Sequence, residues 1–126
     1  MIDKLDKVFS EYIRKRDSKE YGGRYFRCIS CGKVKPFEQM DCGHYIPRAN
    51  MATRFDEDNC HGECVECNRM SVTHIVGFRQ NLVKKIGYEA VERLEQKKHT
   101  IQKYSKTEIS ELIKYYKTKI KELDKQ

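Results

Sequence analysis

The chain has 126 residues, of which 38% are hydrophobic and 36% charged, with no tryptophan and two prolines. That composition fits one compact domain with a modest core and excludes a large buried interior, so a metal staple is an expected aid to folding. The net charge of +7 is uneven: residues 1–27 carry 8 basic and 5 acidic side chains, residues 28–78 carry 5 and 7, and residues 79–126 carry 13 and 7.

Ile2, Leu5, Val8, Phe9, Tyr12 and Ile13 recur at helical spacing and predict an amphipathic helix over residues 2–18. Arg14, Lys15 and Arg16 sit near its end, where cations favour the helix dipole, and Tyr21-Gly22-Gly23 breaks it. Tyr25, Phe26, Ile29 and Val34 surround Cys28, Cys31 and Gly32 in a segment that looks like a zinc knuckle. A strand reaching Tyr45 and Ile46 is expected next. A polar loop over 47–58, a short strand from Asn59 to Glu63 and a helix starting at the second cysteine pair follow. Ile75, Phe78, Leu82 and Ile86 form a helical stripe ended near Gly87, and Val91 and Leu94 mark a short helix. Residues 99–104 read as a connector. Ser105 and Glu108 have capping-box spacing ahead of a long helix through Ile109, Leu112, Ile113, Tyr116, Ile120 and Leu123.

Cys28-Ile29-Ser30-Cys31 and Cys64-Val65-Glu66-Cys67 are the most specific signal in the chain. Two such pairs suit one tetrahedral Zn²⁺ with four thiolates, a closed structural site with no open position. No apolar run approaches a membrane span, and Met1-Ile2-Asp3-Lys4-Leu5-Asp6 contains no apolar signal stretch. A reducing compartment and no membrane partner are therefore expected, with Cys42 and Cys60 as free, packed thiols. Basic ends flanking a slightly acidic centre suit nucleic acid at the ends and metal at the centre. The plain alternative is solvated helix faces.

His44 stands between the cysteine pairs within Asp41-Cys42-Gly43-His44-Tyr45-Ile46-Pro47. A neutral imidazole takes a proton from water near neutral pH, which makes it the candidate general base. His44 followed by Ile46 and Pro47, Asn59 about fifteen residues on, and Cys64-Val65-Glu66-Cys67-Asn68 resemble the HNH nucleases of the ββα-metal class. Together with the N-terminal helix, Arg48, Thr53-Arg54-Phe55-Asp56 and Asn59-Cys60-His61, the set looks like the phage NinG (Rap) recombination family.

That resemblance implies an α+β chain forming a single domain over 1–126. The resemblance covers most of the chain's first two thirds and implies a zinc-bound HNH core at 24–72 after an N-terminal helix arm at 1–23. The basic helical extension at 73–126 is read from periodicity, and the chain's lysine-rich final third carries no matching motif. It also implies a DNA endonuclease of phage recombination in the host cytoplasm, acting on branched intermediates such as Holliday junctions or D-loops. His44 would be the general base, and Asn59 would hold the loop and orient it. Asn68 would bind a catalytic Mg²⁺ or Mn²⁺, distinct from the structural zinc. Many HNH nucleases place a metal-binding aspartate directly before the histidine, where this chain has Gly43. Asp41 is the nearest carboxylate, and a bulge at Cys42-Gly43 would bring it round to the histidine's face. His61 is the second candidate ligand. Arg48, Arg54 and Arg69 are candidate phosphate contacts, with Arg54 alternatively paired to Asp56 or Asp58. His74 and His99 lie outside the motif and read as structural or surface residues.

Two other readings remain open at this level. One is a non-catalytic zinc module that binds nucleic acid, which Gly43 favours. The other is a protein-interaction domain using the last helix as a docking element. Symmetric cutting of a four-way junction would require two sites, with a homodimer through that helix as the candidate arrangement.

Overall fold

The computed structural model describes residues 1–125. Helix α1 covers Ile2–Ser18 and buries Leu5, Phe9, Tyr12 and Ile13, the stripe read from the sequence. It is not an arm. It packs along the last helix and also against both strands of the central pair.

Two small antiparallel sheets follow, and they share no strand. Strands β1 (Tyr25–Arg27) and β2 (Val34–Pro36) form the stem of the knuckle. At its tip Cys28 N–H donates to the Lys33 carbonyl and Gly32 N–H to the Cys28 carbonyl, both at 2.9 Å. Gly32 has φ +75°, the left-handed geometry that suits a glycine in so tight a turn. Strands β3 (Met40–His44) and β4 (Cys60–Cys64) pair residue for residue, from Met40 opposite Cys64 to His44 opposite Cys60. The expected bulge at Cys42-Gly43 is absent, because this register is continuous. Strand β3 ends at His44, before the expected Tyr45 and Ile46, although Tyr45 N–H still reaches the Asn59 carbonyl at 2.9 Å.

The segment expected as a polar loop contains a short helix, α2 (Met51–Arg54). The second cysteine pair opens a single π turn, Glu66–Met70, where an α-helix was expected. This wider turn carries Cys67 toward the other thiols while Asn68 and Arg69 reach back to Asp41. The regular helices resume with α3 (His74–Ile86), α4 (Tyr88–Lys97) and α5 (Lys106–Asp124). The capping box at Ser105 and Glu108 forms in both directions. Among the described residues, no helix is long and apolar enough to cross a membrane.

Three buried clusters hold these elements. The largest joins α1 to α5 through Leu5, Phe9, Ile13, Ile109, Ile113 and Tyr116. The apolar stripe of α5 is therefore covered within the chain by α1. A second cluster seats Phe78, Leu82, Val91 and Leu94 of α3 and α4 on Ile29, Tyr45 and Ile46. The third joins Phe26 and Met40 to Cys28 and Cys64. Helix α3 comes so close to the knuckle that a Cβ on Gly77 would lie 2.1 Å from the Ser30 carbonyl oxygen.

One polar clasp locks α1 to the central strands. Asp17 accepts from the Gly62 amide at 2.7 Å, from Arg16 Nε at 2.8 Å and from Lys85 Nζ at 3.2 Å. Burial favours its neutral form, but Arg16, Lys85 and the Gly62 amide outweigh this and bring its pKa down to about 2.

Two predictions follow from this packing. Gly77→Ala must push α3 off the knuckle, and chemical denaturation should show a loss of about 1–3 kcal/mol. The folded pKa of Asp17 is depressed, so its contribution is present above the unfolded value and lost as pH falls toward the folded one. The stability gap between the wild type and Asp17→Asn should be about 2 kcal/mol or more at pH 7. That gap should narrow as pH falls from about 4 to about 2 in pH-resolved thermal melts.

Candidate functional site

Cys28, Cys31, Cys64 and Cys67 converge from the knuckle and from the junction of β4 with the π turn. Their sulfur atoms all lie within 4.8 Å of one another. A tetrahedron with Zn–S bonds of about 2.3 Å separates its sulfurs by about 3.8 Å, so the cluster has the dimensions of a metal site. Its donor chemistry also fits. The backbone amides of Cys64, Ser30 and Cys31 point at Cys28 Sγ at 3.3, 3.4 and 3.5 Å, as suits a thiolate. These four residues could hold one metal ion.

A second feature is a cleft of about 430 Å³ between α1 and the start of the π turn. Asp41, Cys42, His44, Arg48, Asn68 and Arg69 line it, facing Asp3 and Asp6 of α1. Of the candidates outside the cysteine pairs, His44, Asp41, Asn68, Arg48 and Arg69 therefore meet here, while Asn59, His61 and Arg54 lie elsewhere. His44 is half-buried, and its Nε2 lies 3.0 Å from the Arg54 carbonyl. A carbonyl only accepts, so Nε2 carries the proton of the neutral ring and Nδ1 keeps the lone pair. Burial lowers the His44 pKa below its ordinary value, and the Arg48 charge acts in the same direction. The ring is thus neutral at pH 7 and able to accept a proton.

Asp41 and Asn68 are in direct contact, with Asn68 Nδ2 donating to Asp41 Oδ2 at 2.9 Å. Arg69 forks onto the same carboxylate at 2.8 and 2.9 Å, with its side chain 64% exposed. Arg48 reaches Asp6 at 2.9 Å and is 58% exposed, so both guanidinium groups are open to a polyanion. Arg54 is different. It grips Asp6 through two nitrogens, with its side chain only 15% exposed. Asp6 on α1 is its partner, rather than Asp56 or Asp58, and Arg54 is a structural clasp rather than a free phosphate contact. Burial favours the neutral form of Asp6, but Arg54 and Arg48 prevail and hold its pKa below the ordinary value.

Asn59 is fully buried, and its amide bonds backbone groups and not the His44 ring. Its Oδ1 accepts from Ile46 N–H at 2.8 Å, and its Nδ2 donates to the Ile46 and Thr53 carbonyls at 3.0 and 3.1 Å. It ties both ends of the 45–59 segment together, and so sets the backbone just beyond His44 and the α2 turn whose Arg54 carbonyl receives His44.

His61 does not line the cleft. Its Nε2 is 2.7 Å from the Asp58 carbonyl, and its Nδ1 accepts from Lys85 at 2.9 Å and Arg16 at 3.3 Å. Burial, then the Lys85 and Arg16 charges, drive its pKa down to about 3. Two cations at its one free nitrogen leave no place for a metal, so the second-candidate ligand is withdrawn. His74 is structural, bonded to Glu63 at 2.7 Å, and His99 is exposed.

Two features lay beyond the sequence reading. Glu63 is fully buried, bonded to Ser30 and His74, and a Cβ on Gly43 would lie 2.5 Å from its Oε1. The glutamate fills the room that a side chain at position 43 would need. The other feature is a group formed by Cys42, His44 and Cys60, whose ligand atoms lie within 4.8 Å of one another. Both thiols are free and packed in or against the α1–α5 core, as expected, but their convergence on His44 depends on strand register.

A family described as Bacteriophage Lambda NinG protein matches residues 1–126. The chain is 34% identical over 123 residues to Protein ninG of Escherichia phage 933W, covering 97% of this chain and 57% of that protein. Against Protein ninG of Escherichia phage lambda the identity is 33%, with 97% and 56% covered. Protein ninG of Salmonella phage P22 is likewise 33% identical, with 97% and 57% covered. The chain thus spans little more than half the length of these curated relatives. No solved structure gives a significant match.

Asn59→Ala would leave the buried Ile46 N–H and carbonyl without Asn59, while the Thr53 carbonyl keeps the Asp56 N–H at 3.2 Å. Denaturant unfolding should show a loss of about 2–4 kcal/mol, while Asn59→Asp should be harmful because a carboxylate cannot donate to the two carbonyls.

Proposed function

This chain belongs to the NinG family, and from that premise we propose that it is a metal-dependent HNH-type endonuclease acting on DNA, with branched recombination intermediates as the substrate. The carrying observation is the cleft itself, which is lined by a neutral, proton-accepting His44, by the Asp41–Asn68 pair, reached from the other face of β3, and by exposed Arg48 and Arg69.

In this reading the four cysteines hold a structural Zn²⁺ that fixes the knuckle against β4. A divalent cation such as Mg²⁺ or Mn²⁺, held by Asp41 and Asn68, would stabilise charge on the scissile phosphate and the leaving oxygen. His44 Nδ1 takes a proton from the attacking water, while the Arg54 carbonyl holds Nε2–H and so the tautomer. Arg54 is itself anchored by Asp6, and Asn59 fixes the backbone on either side, so both act as positioning residues. Arg48 and Arg69 face solvent at the cleft and would take phosphates of the duplex. Arg69 must then leave Asp41 for the substrate, which frees that carboxylate for the cation. Buried Glu63 leaves no room for a side chain at position 43, so in this reading the carboxylate for the cation comes from Asp41.

A second reading follows from the same ion pair. If Arg69 never leaves Asp41, the chain is a zinc-containing DNA-binding module without catalysis. Incubation with linear, flapped and four-way DNA separates the two. The nuclease reading expects nicking that requires Mg²⁺ or Mn²⁺, and a loss of more than about 100-fold in His44→Ala with bound zinc and fold retained. Tight binding with no cleavage under any metal, or full activity in His44→Ala, overturns it.

A further inference from the structure

We propose that Cys42, His44 and Cys60 form a second metal site, separate from the four-cysteine cluster, that takes a borderline transition-metal cation such as Zn²⁺. Strand pairing builds it. Cys42 and His44 are two residues apart and so share a face of β3, and His44 lies opposite Cys60 of β4. One ligand atom from each lies within 4.8 Å of the other two. Cys60 Sγ at 3.6 Å and His44 Nε2 at 3.0 Å both donate to the Arg54 carbonyl and so lie side by side. An ion taking them would displace both hydrogen bonds, the thiol losing its proton and the ring keeping its own on Nδ1.

The chemistry distinguishes this site from its neighbours. Two thiolates neutralise a divalent ion, so the half-buried pocket would hold no net charge. Thiolate and imidazole prefer Zn²⁺ over Mg²⁺, whereas Asp41 and Asn68 offer only oxygen ligands suited to the harder ion. Three protein ligands leave a fourth position open, unlike the closed four-cysteine cluster. Cys42 and His44 line the cleft, so an ion has a path in, while Cys60 is fully buried and forms the floor. One consequence rests on the nuclease reading: a His44 nitrogen bound to zinc cannot accept a proton from water, so zinc beyond the first equivalent would be an inhibitor.

The test reads metal binding and does not depend on cleavage. The full chain, holding one zinc per molecule, is titrated with Co²⁺ without oxygen, and thiolate-to-cobalt charge-transfer absorption is followed. One further equivalent should bind and develop that band. Cys42→Ser should lose the equivalent, and His44→Gln should weaken it by about 10-fold or more, with the first zinc and the circular dichroism of both variants unchanged. Absence of the band in the wild type, or its survival in Cys42→Ser, overturns the proposal. A chain that binds cobalt this way yet, with that second equivalent removed and Mg²⁺ or Mn²⁺ supplied, cuts no DNA would sink the nuclease reading and leave the site standing.

Discussion

The convergence of four cysteines is the constraint on which the other parts of this molecule depend. Its two sheets have two strands each and share none, and an isolated two-stranded sheet is marginal in water. The thiol cluster bridges them, with one pair in the knuckle between β1 and β2 and the other where β4 runs into the π turn. The Ile29 amide bonded to the Gly62 carbonyl at 3.0 Å reinforces the same seam. Helix α3 then docks on the outside of the knuckle, with Asn81 bonded to the Ile29 carbonyl at 2.8 Å and Gly77 permitting the approach. A metal at the cluster would therefore secure two sheets and a helix at once.

Helix α1 adds the second half of the scaffold, and it shapes the cleft electrostatically. Its Asp6 draws in Arg54 and Arg48, and its Asp17 gathers Arg16 and Lys85 against β4. These are different kinds of pairing. Asp17 is buried among its partners and stabilises the fold, whereas Arg48 and Arg69 are exposed at the cleft mouth, where a surface ion pair contributes little and is readily exchanged. The exposed cationic groups at the cleft are thus the ones whose present pairing costs least to break.

His44 sits where two chemistries meet. Its backbone belongs to a regular strand, its ring is held by the α2 turn, and the face it shares with Cys42 and Cys60 is sulfur-rich. The oxygen ligands Asp41 and Asn68 lie on the same cleft but are joined to each other and to Arg69. In the proposed reading the harder ion serves catalysis and the softer one competes for the base. On that reading the identity of the available metal, and not only its concentration, would determine what His44 can do.

The local features were legible from the chain alone. The boundaries of α1, the capping box of α5 and the paired cysteines all depend on neighbours within a few residues, which is the range over which helical period and ligand spacing operate. His44 and Asn68 were named together through a family resemblance, which holds as to NinG membership, and Asp41 was added only as the nearest carboxylate. Pairing at long separation decided the rest. Asp6 meets Arg54 across 48 residues, Glu63 fills the space beside Gly43, and Cys60 meets His44 only because β3 and β4 align without a bulge. The same holds for the stripe on α5, whose period announced a buried face while only packing showed that α1 covers it. Periodicity tells which residues must leave water. Register and docking, which sum many weak contacts between distant segments, choose what they meet.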